Sequence, residues 1–123
     1  MVVANPATST TTGWPVGFWA SELFQPLYEF TEAGDDVTVA SPDGGPVEVD
    51  GLSDPRDPSG YSAEDVLSLG YLSSGKHTAL LKDTPRLSEL DLDDYNAIVV
   101  QADDARAARA GVHSIPGARR RCA

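Results

Sequence analysis

One cysteine, two histidines and nine basic side chains are all that this 123-residue chain offers, and each shortage closes a class of chemistry. Cys122 alone excludes an internal disulfide framework and cannot build a thiolate zinc site, so stability has to come from packing. His77 and His113 have no partner ligands at zinc spacing. Asp43, Asp50, Asp54 and Asp57 miss the register of a calcium loop and read as a solvated acidic stretch. No metal and no cofactor are expected. No apolar run approaches the ~20 residues of a membrane helix. Met1 to Pro6 has neither the charged start nor the long apolar core of a secretory signal. A cytoplasmic protein with no membrane partner is the expectation.

The charge that is present is lopsided. The net charge is −10 at pH 7, yet of the nine basic residues only Lys76, Lys82, Arg56 and Arg86 lie within 1–101, against all but two of the 19 acids. A body this acidic repels phosphate backbones, and nucleic-acid binding is not expected. The remaining residues, 102–123, hold five arginines, two aspartates and few large apolar side chains, chiefly Val112 and Ile115. They read as an Ala/Arg-rich tail that packs poorly, its first part a weak helix. Their Ala/Arg/Gly bias is also what out-of-frame reading of GC-rich coding sequence tends to produce.

Periodicity places the remaining elements. Val2 to Ala4 reads as the end of a buried strand stopping at Asn5-Pro6, with a Ser/Thr/Gly/Pro loop over 7–17. Trp19, Leu23, Leu27 and Phe30 mark one face of a helix over about 18–33, which Pro26 delays or kinks and Gly34 caps. Residues 36–41 and 97–101 read as further buried strands, and strand, helix, strand argues for a parallel sheet. Residues 46–61 read as a surface excursion. Ser62, with Asp65 three residues on, reads as a capping-box start for a short helix through Leu69, and His77 to Lys82 as another. Gly70 to His77 nearly matches a phosphate-binding loop, but His77 stands where the hydroxyl should be, and the stretch reads as a surface turn. Trp14 and Trp19 read as packing residues rather than a base-stacking platform.

Three stretches taken together, TGWPVGFWASEL at 12–23 followed by Pro26 and Ala33-Gly34, VTVASPDGG at 37–45, and DYNAIVV at 94–100, resemble the ThiJ/PfpI family of class I glutamine amidotransferase-like proteins, especially its glyoxalase-III and chaperone-like branch. The resemblance covers roughly residues 2–101. It implies an α/β fold, here a partial flavodoxin-like parallel sheet with flanking helices, with 1–101 as the N-terminal part of such a domain and 102–123 as a divergent tail. It also implies cysteine-dependent chemistry on small carbonyl or acyl compounds, in which a glutamate of the first helix supports an elbow cysteine. By motif position that glutamate is Glu22. Its plainer reading is a surface glutamate at a helix start, favourable to the dipole.

The departures point the other way. Gln101-Ala102-Asp103 stands where the family places a Gly-Gly pair, and Cys122 is flanked by Arg119 to Arg121, which lower a thiol pKa, but has no elbow or base. The resemblance therefore implies a truncated or divergent, catalytically inactive chain, with Glu22 as a vestigial site position. It also implies a sheet short of two strands, whose exposed edge invites self-association. Two other readings stand beside it. The chain is a non-catalytic chaperone-like or interaction module, or a separate chain supplies the missing half.

Overall fold

Residues 1–101 are described by a computed structural model. The helix and poor order expected of 102–123, and Cys122, lie outside the described residues.

The fold is α/β in general. Its centre is the extended segment at 1–4. Val2 bridges Ala40 on one side and Val100 on the other, both in parallel. The bonds are ladder bonds: Val3 N to Ala40 O at 2.9 Å, Ala40 N to Met1 O at 2.8 Å, Val2 N to Val99 O at 2.8 Å and Gln101 N to Val2 O at 2.9 Å. The three expected strands thus meet in parallel, but each junction extends over one bridged residue rather than a run. The sheet among the described residues is instead a two-stranded antiparallel hairpin, β1 (Ala7–Thr8) with β2 (Pro15–Val16), inside the stretch expected to be loop. A continuous flavodoxin-like sheet is not what these pairings amount to.

Against the central segments lies α1 (Ala20–Glu32). Its buried residues are Ala20, Leu23, Phe24 and Leu27, so the buried face is turned toward Ala20 and Phe24 from the expected stripe, and Trp19 and Phe30 are left half-buried. Pro26 does not delay the helix, which begins at Ala20 and runs through it. It cannot supply the N–H that would reach the Glu22 carbonyl, but the burial of Leu23 and Leu27 on either side offsets one missing bond. Gly34 does close the helix, at φ 90°, a conformation that favours glycine, with its N–H on Thr31 O.

The helical layer continues with α2 (Val66–Ser73) and α3 (Gly75–Lys82). Helix α2 starts three residues later than expected, because Asp65 rather than Ser62 is its cap. One Asp65 oxygen accepts from Ser68 N at 3.0 Å and the other from the Ser68 hydroxyl at 2.6 Å. Gly70 is inside α2 and Gly75 opens α3, so the phosphate-loop look-alike is a helix–helix joint, neither cradle nor surface turn. Nor is 46–61 merely a surface excursion. Val47 is buried and its N–H reaches Leu81 O at 2.8 Å, while Ser53 is buried under the start of α1.

The core joins Val3 and Val39 to Leu23, Phe24 and Leu27 of α1, Leu72 of α2 and Leu81 of α3. Phe24 is its hub, stacked on Tyr71 at 5.0 Å and edge-on to Phe18 at 6.3 Å. Phe24→Ala is expected to lower unfolding free energy by about 3–5 kcal/mol, whereas Tyr28→Ala on the exposed side of the same helix changes it by about 0.5 kcal/mol or less. Urea denaturation of both variants checks the contrast.

Candidate functional site

The start of α1 is held by partners distant in sequence. Phe18 pairs in parallel with Val49: Phe18 N donates to Glu48 O at 3.1 Å, and Asp50 N donates to Phe18 O at 2.8 Å. Gly17 is what allows this approach, since a Cβ there would stand 2.1 Å from the Glu48 carbonyl oxygen. Trp19 occupies the cap position without a capping side-chain bond. The cap comes from Ser53 instead, whose buried hydroxyl accepts from Ala20 N at 3.0 Å and donates to Asp50 O at 2.9 Å. It satisfies one of the amides that a helix start leaves open.

This clamp fixes where Glu22 stands. It is an exposed residue of the first turn of α1, its N–H on Trp19 O at 3.2 Å. Glu22, Gln25 and Glu29 follow one another along the outer face of the helix and line a shallow groove of about 570 Å³. Through Ser21 and Gln25 it joins a second open groove of about 600 Å³, walled across from the helix by Tyr61, Glu64, Asp65 and Val66. Trp19 meets Tyr61 edge-on at 6.3 Å at this junction. Among the described residues the lining carries carboxylates and aromatic surface and no basic side chain, a composition that favours neutral or cationic visitors over anions. A carboxylate at a helix start also interacts favourably with the helix dipole. Among the described residues the arrangement can orient a hydrogen-bond donor, and its lining presents hydroxyls and carboxylates but no thiol.

The far wall is tied down by an ion pair. Arg56 grips Asp54 with two nitrogens, at 2.9 Å and 2.8 Å, and a third nitrogen reaches Leu72 O at 3.3 Å, which joins the 54–57 loop to the end of α2. The Arg56 hydrogen bond holds the Asp54 carboxyl below the usual carboxylate range, against a smaller opposing effect of burial.

Glu22 is thus placed in the first helical turn, beside an open groove. The other motif residues have structural duties. His77 Nδ1 lies 2.8 Å from the Ser74 hydroxyl and its ring packs edge-on against Tyr71 at 4.5 Å. Among the described residues no cluster of three or more His, Cys, Asp or Glu side chains could hold a metal ion, and no helix is long and apolar enough to cross a membrane. Tyr61, Asp65 and Ser53 were not foreseen as site residues. Their only local signals are the Asx-type turn at Asp50-Gly51-Leu52-Ser53 and the Asp65 cap, neither of which reports a neighbour in α1.

No family model matches the chain, and no curated protein does. A solved structure does: the X-ray structure of Francisella tularensis Rapid Encystment Protein 24 KDa (REP24), with a TM-score of 0.67 and 22% identity, covering 83% of this chain and 42% of that one. The chain spans less than half the length of that structure, and at this identity the likeness is one of fold alone.

Ser53→Ala is expected to cost about 1–3 kcal/mol, because it strips the buried Ala20 amide of its acceptor. Loss of stability in urea, with faster hydrogen exchange at Ala20, checks it. The Asp54 pair sets a pH dependence. A carboxyl whose folded value is lowered adds stability that is present above the ordinary carboxylate range and disappears as pH falls through the lowered value. Solvent screening keeps the pair near or below about 1 kcal/mol. Asp54→Asn is expected to lower the urea midpoint slightly at about pH 6, with the difference from wild type shrinking as pH falls through the lowered carboxyl value.

Proposed function

We propose that the chain is a divergent ThiJ/PfpI-like protein, flavodoxin-like in plan, that carries the carboxylate side of a cysteine-dependent site and is catalytically silent by itself. The observation that carries the reading is Glu22, in the first turn of the helix that follows the central segment, facing an open groove, in a chain whose residues 1–101 contain no cysteine. The parallel meeting of residues 2, 40 and 100, with 1–4 in the middle, supports the flavodoxin-like plan. The REP24 fold likeness, over 83% of this chain, accords with the general α/β plan.

The chemistry explains the silence. A thiolate reacts with a small electrophilic carbonyl or acyl group when a helix start and hydrogen-bonding groups hold it ionised beside an oxyanion-binding turn. Glu22 would govern the proton of such a thiol. Without the nucleophile the carboxylate has nothing to activate, since these parts act as a unit. Cys122 does not supply the need: arginines flank it in the sequence, but no base is positioned by sequence.

A second reading rests on exposed apolar side chains at the groove. Tyr61 is 71% and Val66 75% solvent-exposed. A chaperone-like or interaction module needs only such a surface. Suppression of client aggregation that is lost in a Tyr61→Ser, Val66→Ser double variant would favour this reading.

The purified chain is expected to show no turnover of methylglyoxal, amide or peptide substrates above background. A rate that disappears in Cys122→Ser would overturn the silent-site reading.

A further inference from the structure

We infer that the corner between Trp19 and Tyr61 binds a small quaternary ammonium compound, a free cation of the choline type. One ring stands at the cap of α1 and the other in the turns before α2. They meet edge-on, with centroids 6.3 Å apart and planes at 87°. Rings at right angles make two adjoining walls, and each ring face carries the negative side of its quadrupole. A cation held in the angle between them is drawn to both. Tyr61 is 71% exposed, so its contact with Trp19 covers only a small part of it.

The rest of the groove supplies what such a cation needs. Its volume of about 600 Å³ suits a small ligand. Glu64, Asp65 and Val66 share the lining with the two rings. Asp65 is committed elsewhere: both its oxygens hold Ser68, and its charge offsets the positive start of α2. Glu64 is exposed, and the ion pairs among the described residues, Arg56 with Asp54 and Arg86 with Glu89, leave it out. It is the carboxylate that can balance the charge of a bound cation. Val66, 75% exposed, offers aliphatic surface to the N-methyl groups.

Hydration and charge select the ligand class. A primary ammonium is compact and strongly hydrated, and ring faces do not replace the water it would give up. A quaternary nitrogen has no N–H to satisfy, and its methyl shell packs directly on aromatic faces. The surplus of acids over bases in 1–101 attracts cations and repels phosphates. A phosphatidylcholine headgroup carries the same cation beside a phosphate, so the free compound is favoured over the lipid. The inference does not depend on the cysteine-site reading, because neither Glu22 nor Cys122 takes part in it.

The test uses the full isotope-labelled chain, residues 102–123 included. It is titrated with choline, with the neohexyl alcohol in which carbon replaces the choline nitrogen, and with phosphatidylcholine vesicles. Choline is expected to bind with a dissociation constant on the order of 1 mM and to shift the Trp19 indole and Tyr61 ring signals. The uncharged alcohol is expected to bind at least about tenfold more weakly, and the vesicles not at all. Tyr61→Leu, which keeps apolar bulk but removes a ring face, is expected to weaken choline binding about threefold to fivefold. Glu64→Gln is expected to weaken it about twofold to threefold, an effect that fades in about 1 M salt. Hydrogen-exchange protection at the core amide of Val3 shows that both variants are folded. The inference is overturned by equal binding of choline and the alcohol, by shifts that map away from Trp19 and Tyr61, by undiminished binding in Tyr61→Leu, by binding to the vesicles, or by no binding at all.

Discussion

The structure depends on the backbone of three residues, Met1 to Val3. Val2 is hydrogen-bonded on one side to Val99 and Gln101, while Val3 and Met1 hold Ala40 on the other. The Val3 side chain sits at 1% exposure in the core beside α1. A segment bonded on both edges and buried needs apolar β-branched residues and has no room for charge. Once 1–4 is fixed, 37–41 and 97–101 can lie only beside it. The face of α1 that must turn inward is then decided as well.

The turn after the second segment is joined to the first by polar atoms rather than apolar ones. The Asn5 amide donates to the Ser41 hydroxyl and to Gly44 O, both at 3.1 Å, and its carbonyl accepts from Asp43 N at 2.8 Å. Ser41 in turn lies 2.7 Å from the buried Thr84 hydroxyl, which donates to Gly45 O at 2.6 Å. Every member has a partner, the condition under which a buried polar network holds a structure rather than weakening it. The effect is to bind the end of the central segment, the turn at 41–45 and the stretch after α3 into one unit.

Opposite this rigid part, the backbone of the first turn of α1 is fixed from below. Gly17 and Ser53 hold its backbone, while its outer face, with Glu22, Gln25 and Glu29, borders a groove rather than a packed layer. Such a division suits a binding or catalytic position: the backbone is immobilised by contacts on one side, and the side chains are left accessible on the other. It also separates what Glu22 can do from what it can do alone. A carboxylate on a fixed helix end can orient a partner group but has no chemistry without one.

Much of this was legible in the chain itself. The apolar spacing of Leu23 and Leu27 located α1, Gly34 closed it, and the β-branched runs at 2–4, 37–39 and 98–100 marked the buried segments, because hydrophobic period and turn residues are local signals. Glu22 was picked out only through the motif around it, and its role belongs to the proposal rather than to the fold. Three features were decided only by tertiary structure. Pro26 was absorbed because packing outweighs one lost hydrogen bond. The stretch at 46–53, polar to the eye, became part of the core because Val47 and Ser53 met Leu81 and Ala20, partners some 33 residues away in each case. The extended segments met across single bridges rather than as the broad sheet their composition suggests, since strand length depends on neighbours that no local pattern contains. The sequence by itself determined which residues seek burial and where helices can start and stop. Which partners they meet, which face of α1 is left open and what lines the groove were settled by contacts between residues far apart along the chain, where sequence spacing carries no information about distance.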